Sequence, residues 1–382
     1  MSLAISTICF IACHGGPADH FATYAQALTQ HGYHVDVYAT GPALKKFQER
    51  GMQVKSFSLD DLPSEAEDNL ADQIARTCSS ASVVITDVGH PFNIKMQKAL
   101  EATKVTHLAY YDNPEPFVPG GYSKIAAEVM QIAQGILFAN ATLANAKIYN
   151  GLEEEIDFGH KKRFGIGYYP VDQAEKISKR RALEQKAARS TLLEKSGIKD
   201  ENQKVWVYFG GNNDEYFANA FPAFLRFLEE AMEQVDFSKI VIVIQQHPGA
   251  KAKNLDGQRV DEWKEKFAHK ASAPKLLMSD FSSDEAQVVA DAAFYYQTSM
   301  GPQFALAHIP STQIGHKPYE DILVKNQMAF SVSSADQLID RAKNLNQGVE
   351  KNLQRDVILN KLGIKPDWFK ALDLAIHESL KK

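Results

Sequence analysis

Short runs of β-branched and aromatic residues alternate along this chain with longer stretches of helical period. That alternation predicts βαβ units, in which a parallel sheet is covered on both faces by helices, so the class is α/β. In the first half it predicts strands over 5–12, 34–39, 54–57, 83–86, 106–110 and 136–139, with helices near 18–30, 66–78, 92–102 and 123–134. A second series of the same kind predicts strands over 205–209, 240–244, 276–278, 294–297 and 311–314. Helices near 216–234, 261–270, 283–290 and 303–307 separate them. Between the two series, 172–195 is rich in Lys, Arg, Glu and Ala and carries the cluster Lys179-Arg180-Arg181, which reads as a solvated connecting helix. The last segment, 366–380, places apolar side chains at Phe369, Leu372, Leu374, Ala375 and Leu380 and reads as a closing amphipathic helix.

Composition narrows the class of partner. The 382 residues suit two or three domains. A net charge of -5 gives no broad positive field, so no nucleic-acid partner is expected. The longest apolar runs fall far short of the roughly 20 residues that span a bilayer, so no transmembrane segment is expected. Met1-Ser2-Leu3 places no basic residue ahead of the first apolar run, which stops at His14-Gly15-Gly16 and reads as a buried strand rather than a leader. Cys9, Cys13 and Cys78 suit reduced, buried thiols, and a cytoplasmic location is the expectation.

In the first half, candidate chemistry follows three strands. His14-Gly15-Gly16-Pro17-Ala18-Asp19-His20 leads from the first strand into an amphipathic helix. Paired glycines let a ligand approach the backbone, and a helix start presents unpaired N–H groups, so His14, Gly15 and Gly16 are acceptor-binding candidates. The loop is not a dinucleotide fingerprint: it lacks the third glycine, and the second strand ends in Tyr38-Ala39-Thr40 without an acidic residue. A metal hydrolase would use His14, Asp19, His20 and Asp87, but Gly15 and Pro17 stand where that pattern needs further histidines. Asp87-Val88-Gly89-His90-Pro91 and Asp112-Asn113-Pro114-Glu115-Pro116 follow two more strands, where an open α/β sheet forms its ligand crevice, and are expected to share a rim. Catalytic acid–base candidates are therefore Asp19, His20, Asp87, His90 and Asp112, with Asn113 added on the acceptor side. Asp19 leads because a helix start favours its ionised form, although the same position suits a plain N-cap, and the other residues also suit turns.

In the second half, Phe209-Gly210-Gly211-Asn212-Asn213 follows the first strand without the G-K-[ST] ending of a P-loop. Backbone N–H groups at Gly210, Gly211 and Asn212 remain able to meet a phosphate. Gln245-Gln246-His247-Pro248-Gly249 follows the most apolar strand, and its tight turn aims an imidazole, unless His247 is an ordinary polar cap. Thr298, Ser299 and Gly301 stand where a later strand turns into a helix.

His247-Pro248, the run ADAAFYYQTSMGPQFALAHIP and the polar turn near Glu320, Asp321 and Asn326 resemble the nucleotide-binding half of GT-B glycosyltransferases. In particular they resemble bacterial sialyl- and polysialyltransferases and CDP-glycerol glycerophosphotransferases. The resemblance implies two Rossmann-like domains facing across a cleft, with the C-terminal helix crossing back to the first domain. It implies boundaries at 1–170 for the acceptor-side domain, 171–200 for a linker helix, 201–345 for the donor domain and 346–382 for closing helices. It assigns His247, Thr298 and Ser299 to the donor phosphates, with Gly210, Gly211, Asn212, Pro248, Gly301, Gln303, Glu320 and Asp321 completing the donor site. UDP-sugar 2-epimerases share the later segment, but Met300 interrupts the usual small residues here and no E-x7-E pattern is present.

The reading is thus a metal-independent, glycosyltransferase-like enzyme without a cofactor. It moves a group from a nucleotide-activated donor to an acceptor that the sequence does not name. A nucleotide-sugar 2-epimerase, a metal hydrolase and a non-catalytic nucleotide-sugar-binding protein are the alternatives.

Overall fold

A computed structural model of the chain describes residues 6–118, 122–151, 154–198, 200, 202–250, 254–348 and 353–381. It divides into two compact units, Met1–Tyr169 with Gly363–Lys382, and Pro170–Leu362.

The strands of the first unit are β1 (Thr7–Ala12), β2 (His34–Ala39), β3 (Lys55–Ser56), β4 (Val83–Thr86), β5 (Thr106–Tyr111), β6 (Phe117–Val118), β7 (Gly135–Phe138), β8 (Tyr149–Asn150), β9 (Glu154–Glu155) and β10 (Lys162–Gly165). Its helices are α1 (Gly15–Gln30), α2 (Gly41–Glu49), α3 (Ser64–Thr77), α4 (Pro91–Glu101) and α5 (Ser123–Ile132). Seven strands form one parallel sheet in the order β10, β7, β5, β4, β1, β2, β3, and β6, β8 and β9 form a small separate sheet. The run in β1 shows why the sheet is covered on both faces. Ile8, Phe10 and Ala12 enter one core with α1 and α2, and Cys9 and Ile11 enter another with α3 and α4. Each large side chain buried this way contributes about 1.5–3 kcal/mol.

The second unit opens with α6 (Val171–Lys195) and continues with β11 (Lys204–Phe209), α7 (Phe221–Ala231), β12 (Ile240–Gln245), α8 (Leu255–Phe267), β13 (Lys275–Met278), α9 (Ser283–Val289), β14 (Ala292–Tyr295), α10 (Gly301–Leu306), β15 (Ser311–Ile314), α11 (Ile322–Lys325), β16 (Ala329–Val332), α12 (Ala335–Gln347) and α13 (Arg355–Lys361). Its six strands are all parallel, in the order β13, β12, β11, β14, β15, β16. Each sheet therefore has one point where successive strands leave in opposite directions, between β1 and β4 in the first unit and between β11 and β14 in the second. Ligand crevices of open α/β sheets form at such points.

Several elements differ from the sequence expectations. The helix expected from residue 18 starts at Gly15, and the strand expected over 294–297 runs over Ala292–Tyr295, leaving Tyr296 and Gln297 beyond its end. Ile5, the expected start of the first strand, lies outside the described residues. The edge strands β10 and β16 and helices α2 and α12 were not expected, and α13, within the range expected for closing helices of the first domain, belongs to the second unit. Edge strands lack the continuous apolar run of a central strand, and in β16 only Val332 is fully buried. The basic segment is not simply solvated. Arg181 Nη1 donates to the carbonyls of Gln287 and Ala290 at 2.6 and 2.7 Å, at the C-terminal end of α9. Arg189 Nη1 meets both oxygens of Asp291 at 3.0 and 3.1 Å, docking one face of α6 on its own unit while Leu183 stays exposed.

The closing helix α14 (Trp368–Ser379) belongs to the first unit. Leu372, Ala375 and Ile376, spaced for one helix face, enter the core beside α1, and Trp368 packs 5.3 Å from Tyr24 and 5.0 Å from Tyr168. Leu374, expected on that face, points outward and is 59% exposed. Among the described residues, no helix is long and apolar enough to cross a membrane.

Candidate functional site

At the switch point of the first unit, β1 runs almost directly into α1. His14 is the N-cap in an extended conformation, no side chain caps the helix, and its first turn holds no acidic residue. Pro17 has no N–H, and Ala18 N donates to the carbonyl of His14 at 3.2 Å, so the helix itself provides no partner for the N–H groups of Gly15 and Gly16.

Asp87, at the exit of β4, is fully buried and joins the two strand ends. Its Oδ2 accepts from the backbone N–H of Cys13 at 3.0 Å and of His14 at 2.9 Å, and lies 3.3 Å from His14 Nδ1. Its Oδ1 accepts from Asn93 Nδ2 at 2.6 Å. Asn93 Oδ1 in turn accepts from His90 N at 2.9 Å, while His90 Nδ1 accepts from Phe92 N at 3.1 Å, so His90 and Asn93 form a capping box at the start of α4. The His14 ring lies flush against Gly89, where any side chain would come within 2.9 Å of it. His14 and His90 rings stand 5.7 Å apart. From the exit of β5, Asp112 reaches α1, its Oδ2 only 2.9 Å from where a side chain on Gly16 would begin.

The charges of this cluster are coupled. The hydrogen bond to Asp87 raises the pKa of His14 above its ordinary value. Burial, with the nearby charge of Asp87, pushes Asp112 up to about 6. Burial lowers His90. His14, Asp87, His90, Asp112, Gly15 and Gly16 are therefore brought together, as a shared rim requires.

Other expected residues stand elsewhere. Asp19 does not cap α1; it lies in the second turn and pairs with Arg50 at 3.1 Å, so the argument from the helix start does not apply to it. His20 does not face solvent. It is buried, its Nδ1 lies 2.7 Å from the Tyr110 hydroxyl, and burial lowers its pKa to about 4. Asp19 and His20 are thus committed to other partners and do not join His14 and Asp87 in the metal-ligand set considered from the sequence. Asn113 Oδ1 accepts from Glu115 N at 3.1 Å and shapes its own turn.

In the second unit, the exits of β11, β12, β14 and β15 carry the corresponding cluster. Gly210 and Gly211 are required by packing: a side chain on Gly210 would begin 2.9 Å from the Tyr216 hydroxyl and 3.1 Å from Asp256 Oδ2, and one on Gly211 would begin 2.8 Å from Tyr216 Cγ. Asn213 Nδ2 reaches Gln297 Oε1 at 3.4 Å across the switch point. Asn212 Nδ2 lies 3.7 Å from where a side chain on Gly249 would begin. His247 is half-buried, and its Nδ1 accepts from Gly249 N at 3.1 Å. A neutral imidazole accepting at Nδ1 carries its proton on Nε2. Burial lowers the pKa of His247, which favours that neutral form. The turn Pro248–Ala250 sets this geometry, though the side chain of Pro248 lies outside what the structure describes. Thr298 Oγ1 accepts from Met300 N at 3.1 Å, and Ser299 shares the loop.

Three donor-site expectations go instead to the interior. Gln303 is buried and accepts from Gln287 Nε2 at 3.0 Å. Asp321 is buried, caps α11 through Val324 N at 2.8 Å and accepts from the Tyr295 hydroxyl at 2.6 Å. A side chain on Gly301 would begin 3.1 Å from Leu323. Glu320 is exposed beside them. Sequence reasoning missed Asn93, Gln297 and the pair of Glu215 with His316, whose Oε1 and Nε2 are 2.9 Å apart. Asn93 had little signal, since His90-Pro91-Phe92-Asn93 forms a capping box without the Ser/Thr and Glu/Gln that mark one in a sequence. The Glu215–His316 pair had none, because its members lie far apart in the chain.

No family model and no curated protein matches the sequence. Solved structures resemble it over the whole chain. A glycosyltransferase from Rickettsia africae matches with a TM-score of 0.67 at 13% identity, covering 100% of each chain. A UDP-GlcNAc 2-epimerase from Neisseria meningitidis bound to UDP-GlcNAc matches at 0.61 and 11%, covering 98% of this chain and 100% of that one. A UDP-GlcNAc 2-epimerase from Methanocaldococcus jannaschii, in complex with UDP-GlcNAc and UDP, matches at 0.61 and 12%, covering 97% and 99%. These likenesses establish the fold. The chain has the two Rossmann-like units of the GT-B architecture, as its sequence implies.

Proposed function

We propose that this protein acts on a nucleotide-activated sugar and transfers the activated group to an acceptor. The observation that carries the reading is the tautomer of His247. Its Nδ1 is occupied by Gly249 N, so its Nε2–H is a fixed donor at the end of a central strand, suited to a phosphate oxygen. The loops of Asn212 and Thr298, at the exits of neighbouring strands, support the same use. The solved structures with nucleotide sugars bound share this fold and add support.

On the first unit, the acid–base role falls to His14. Hydrogen-bonded at Nδ1 to a buried carboxylate, it is oriented as a general base that takes a proton at Nε2. An acceptor hydroxyl bound at the first unit would give its proton to His14 Nε2, and a donor phosphate bound at the second unit would be steadied, as its bond to the sugar carbon breaks, by the His247 Nε2–H.

Epimerisation is the second reading, favoured by the nearness of the charges of His14 and Asp112: two groups of shifted pKa in one cluster can remove and return a proton at a single carbon. Thermal-shift screening against UDP, GDP, CDP and CMP tests the shared premise. One nucleotide should stabilise the wild type and stabilise His247→Ala distinctly less, and no shift with any of them would sink the reading. Incubation with the matching nucleotide sugar alone then separates the two, since an epimerised sugar without acceptor favours the second.

A further inference from the structure

The two faces of β1 serve different ends, and the face turned away from α1 carries a thiol pair outside the candidate site. Cys9, in mid-strand, is buried. Cys78 opens the 3-10 turn Cys78–Ser80 at the end of α3 and is buried too. Their sulfurs are 3.2 Å apart across a separation of 69 residues, and both thiols are free. A disulfide needs its sulfurs at about 2.05 Å, so closure asks for a movement of little more than an ångström. We propose that Cys9 and Cys78 are a redox-active dithiol that closes to a disulfide under a hydroperoxide oxidant and reopens with a thiol reductant.

Three further observations bear on this. The first is a charge relay to the surface. Lys55 Nζ, on a half-exposed side chain, is 2.8 Å from Asp36 Oδ1 and donates to the Tyr38 hydroxyl at 3.4 Å. The hydrogen bond from Cys9 lowers the pKa of Cys78, burial opposes it, and a hydrogen bond from Tyr38 lowers it further. Cys78 is thus the more acidic thiol of the pair and Cys9, whose pKa is raised, the one that holds its proton more tightly.

The second is selectivity. The remaining thiol, Cys13, is held protonated by burial and by the charge of Asp87, so it does not compete as a nucleophile. The third is access: Ser79 and Ser80, the rest of the turn, are exposed, and a helix end is where local opening admits a small oxidant.

The chemistry balances with one peroxide. The Cys78 thiolate attacks a peroxide oxygen, the O–O bond breaks, hydroxide leaves, and Cys78 becomes a sulfenic acid. The Cys9 sulfur then attacks Cys78, the S–S bond forms, the S–O bond breaks, and water leaves with the Cys9 proton. Two thiols lose two electrons in all, and the peroxide becomes two waters.

The test is hydrogen peroxide treatment of the full chain, followed by denaturation, alkylation and mass analysis. Before alkylation the oxidised protein should be lighter by two hydrogen atoms. Of its three thiols only Cys13 should alkylate, and a peptide should join Cys9 to Cys78 until reductant separates it. The link should also raise the melting temperature, because it constrains the unfolded chain over a long loop. Cys78→Ala should show no loss of hydrogen and leave Cys9 open to alkylation. Three alkylated thiols after peroxide, a link through Cys13, or oxygen added at Cys78 without a link would each overturn the proposal in the wild-type protein alone.

Discussion

The two units place clusters at the same topological position but build them from opposite materials. The first unit is tied by a buried carboxylate: Asp87 takes two backbone N–H groups, an amide and an imidazole, and its charge raises the pKa of both His14 and Asp112. In the second, the Asn213 amide on Gln297 and a histidine whose proton position is set by Gly249 N are neutral ties, and the Glu215–His316 pair adds a charged one at the exits of the same sheet. A site that must hold and release a proton needs coupled charges. One that must steady an anion needs fixed donors, and under the proposed function the two clusters would divide along that line.

Breaking the tie in each unit should give unequal results. Asp87→Ala strands two buried backbone N–H groups and the Asn93 amide, so it should cost the fold about 3 kcal/mol, read by denaturant unfolding. Asn213→Ala is the comparison: it removes a long, part-buried bond to Gln297 and the bond from Tyr216 N at 2.8 Å, together about 1 kcal/mol, so a loss near that of Asp87→Ala would mean the two ties are alike.

Gly211→Ala comes next, at about 2 kcal/mol, because the new methyl meets the Tyr216 ring at 2.8 Å. An unchanged melting curve would return Gly211 to the role of ligand approach.

His247→Ala should leave the melting temperature nearly as it was and weaken nucleotide binding by about tenfold, the value of one hydrogen bond to a charged group. Calorimetry with the nucleotide found by screening decides it, and equal affinity would remove His247 from the phosphate site.

Asp112→Asn should raise stability slightly near neutral pH. A carboxyl whose folded pKa is lifted to about 6 stabilises the fold while protonated, below its unfolded value, and that contribution disappears as pH rises through about 6. Asparagine keeps the uncharged state, which is worth of order 1 kcal/mol after solvent screening. A less stable variant at pH 7.5 would show that ionised Asp112 is held by favourable partners.

The smallest effect is the most direct contrast. In an NMR titration His14 should lose its proton above the ordinary histidine value and His247 below it. Coincident midpoints would erase the distinction between the sites.

The record of particular residues shows where sequence reading stops. His14, Asp87 and Asp112 were legible because each follows an apolar run by one or two residues, and strand exits are where open sheets bind ligands. His20 was read as an acid–base candidate, and its burial against Tyr110 and Tyr168, which commits it elsewhere, depends on β5 and on the chain near residue 168. Gln303 and Asp321 share the polar composition of the donor loops, and only packing against Gln287 and Tyr295 shows that they serve the interior.

By itself, then, the sequence determined the βαβ alternation, the two series of strands and the loops that carry polar groups, because hydrophobic period and turn chemistry act over a few residues. It also determined that the last helix would be amphipathic. Which strands are neighbours, that β4 lies beside β1 so that Asp87 can reach His14, and that α14 joins a core begun at Ile8 were decided only by the tertiary structure. Those depend on pairings between residues tens to hundreds of positions apart, and no local pattern encodes which of them will meet.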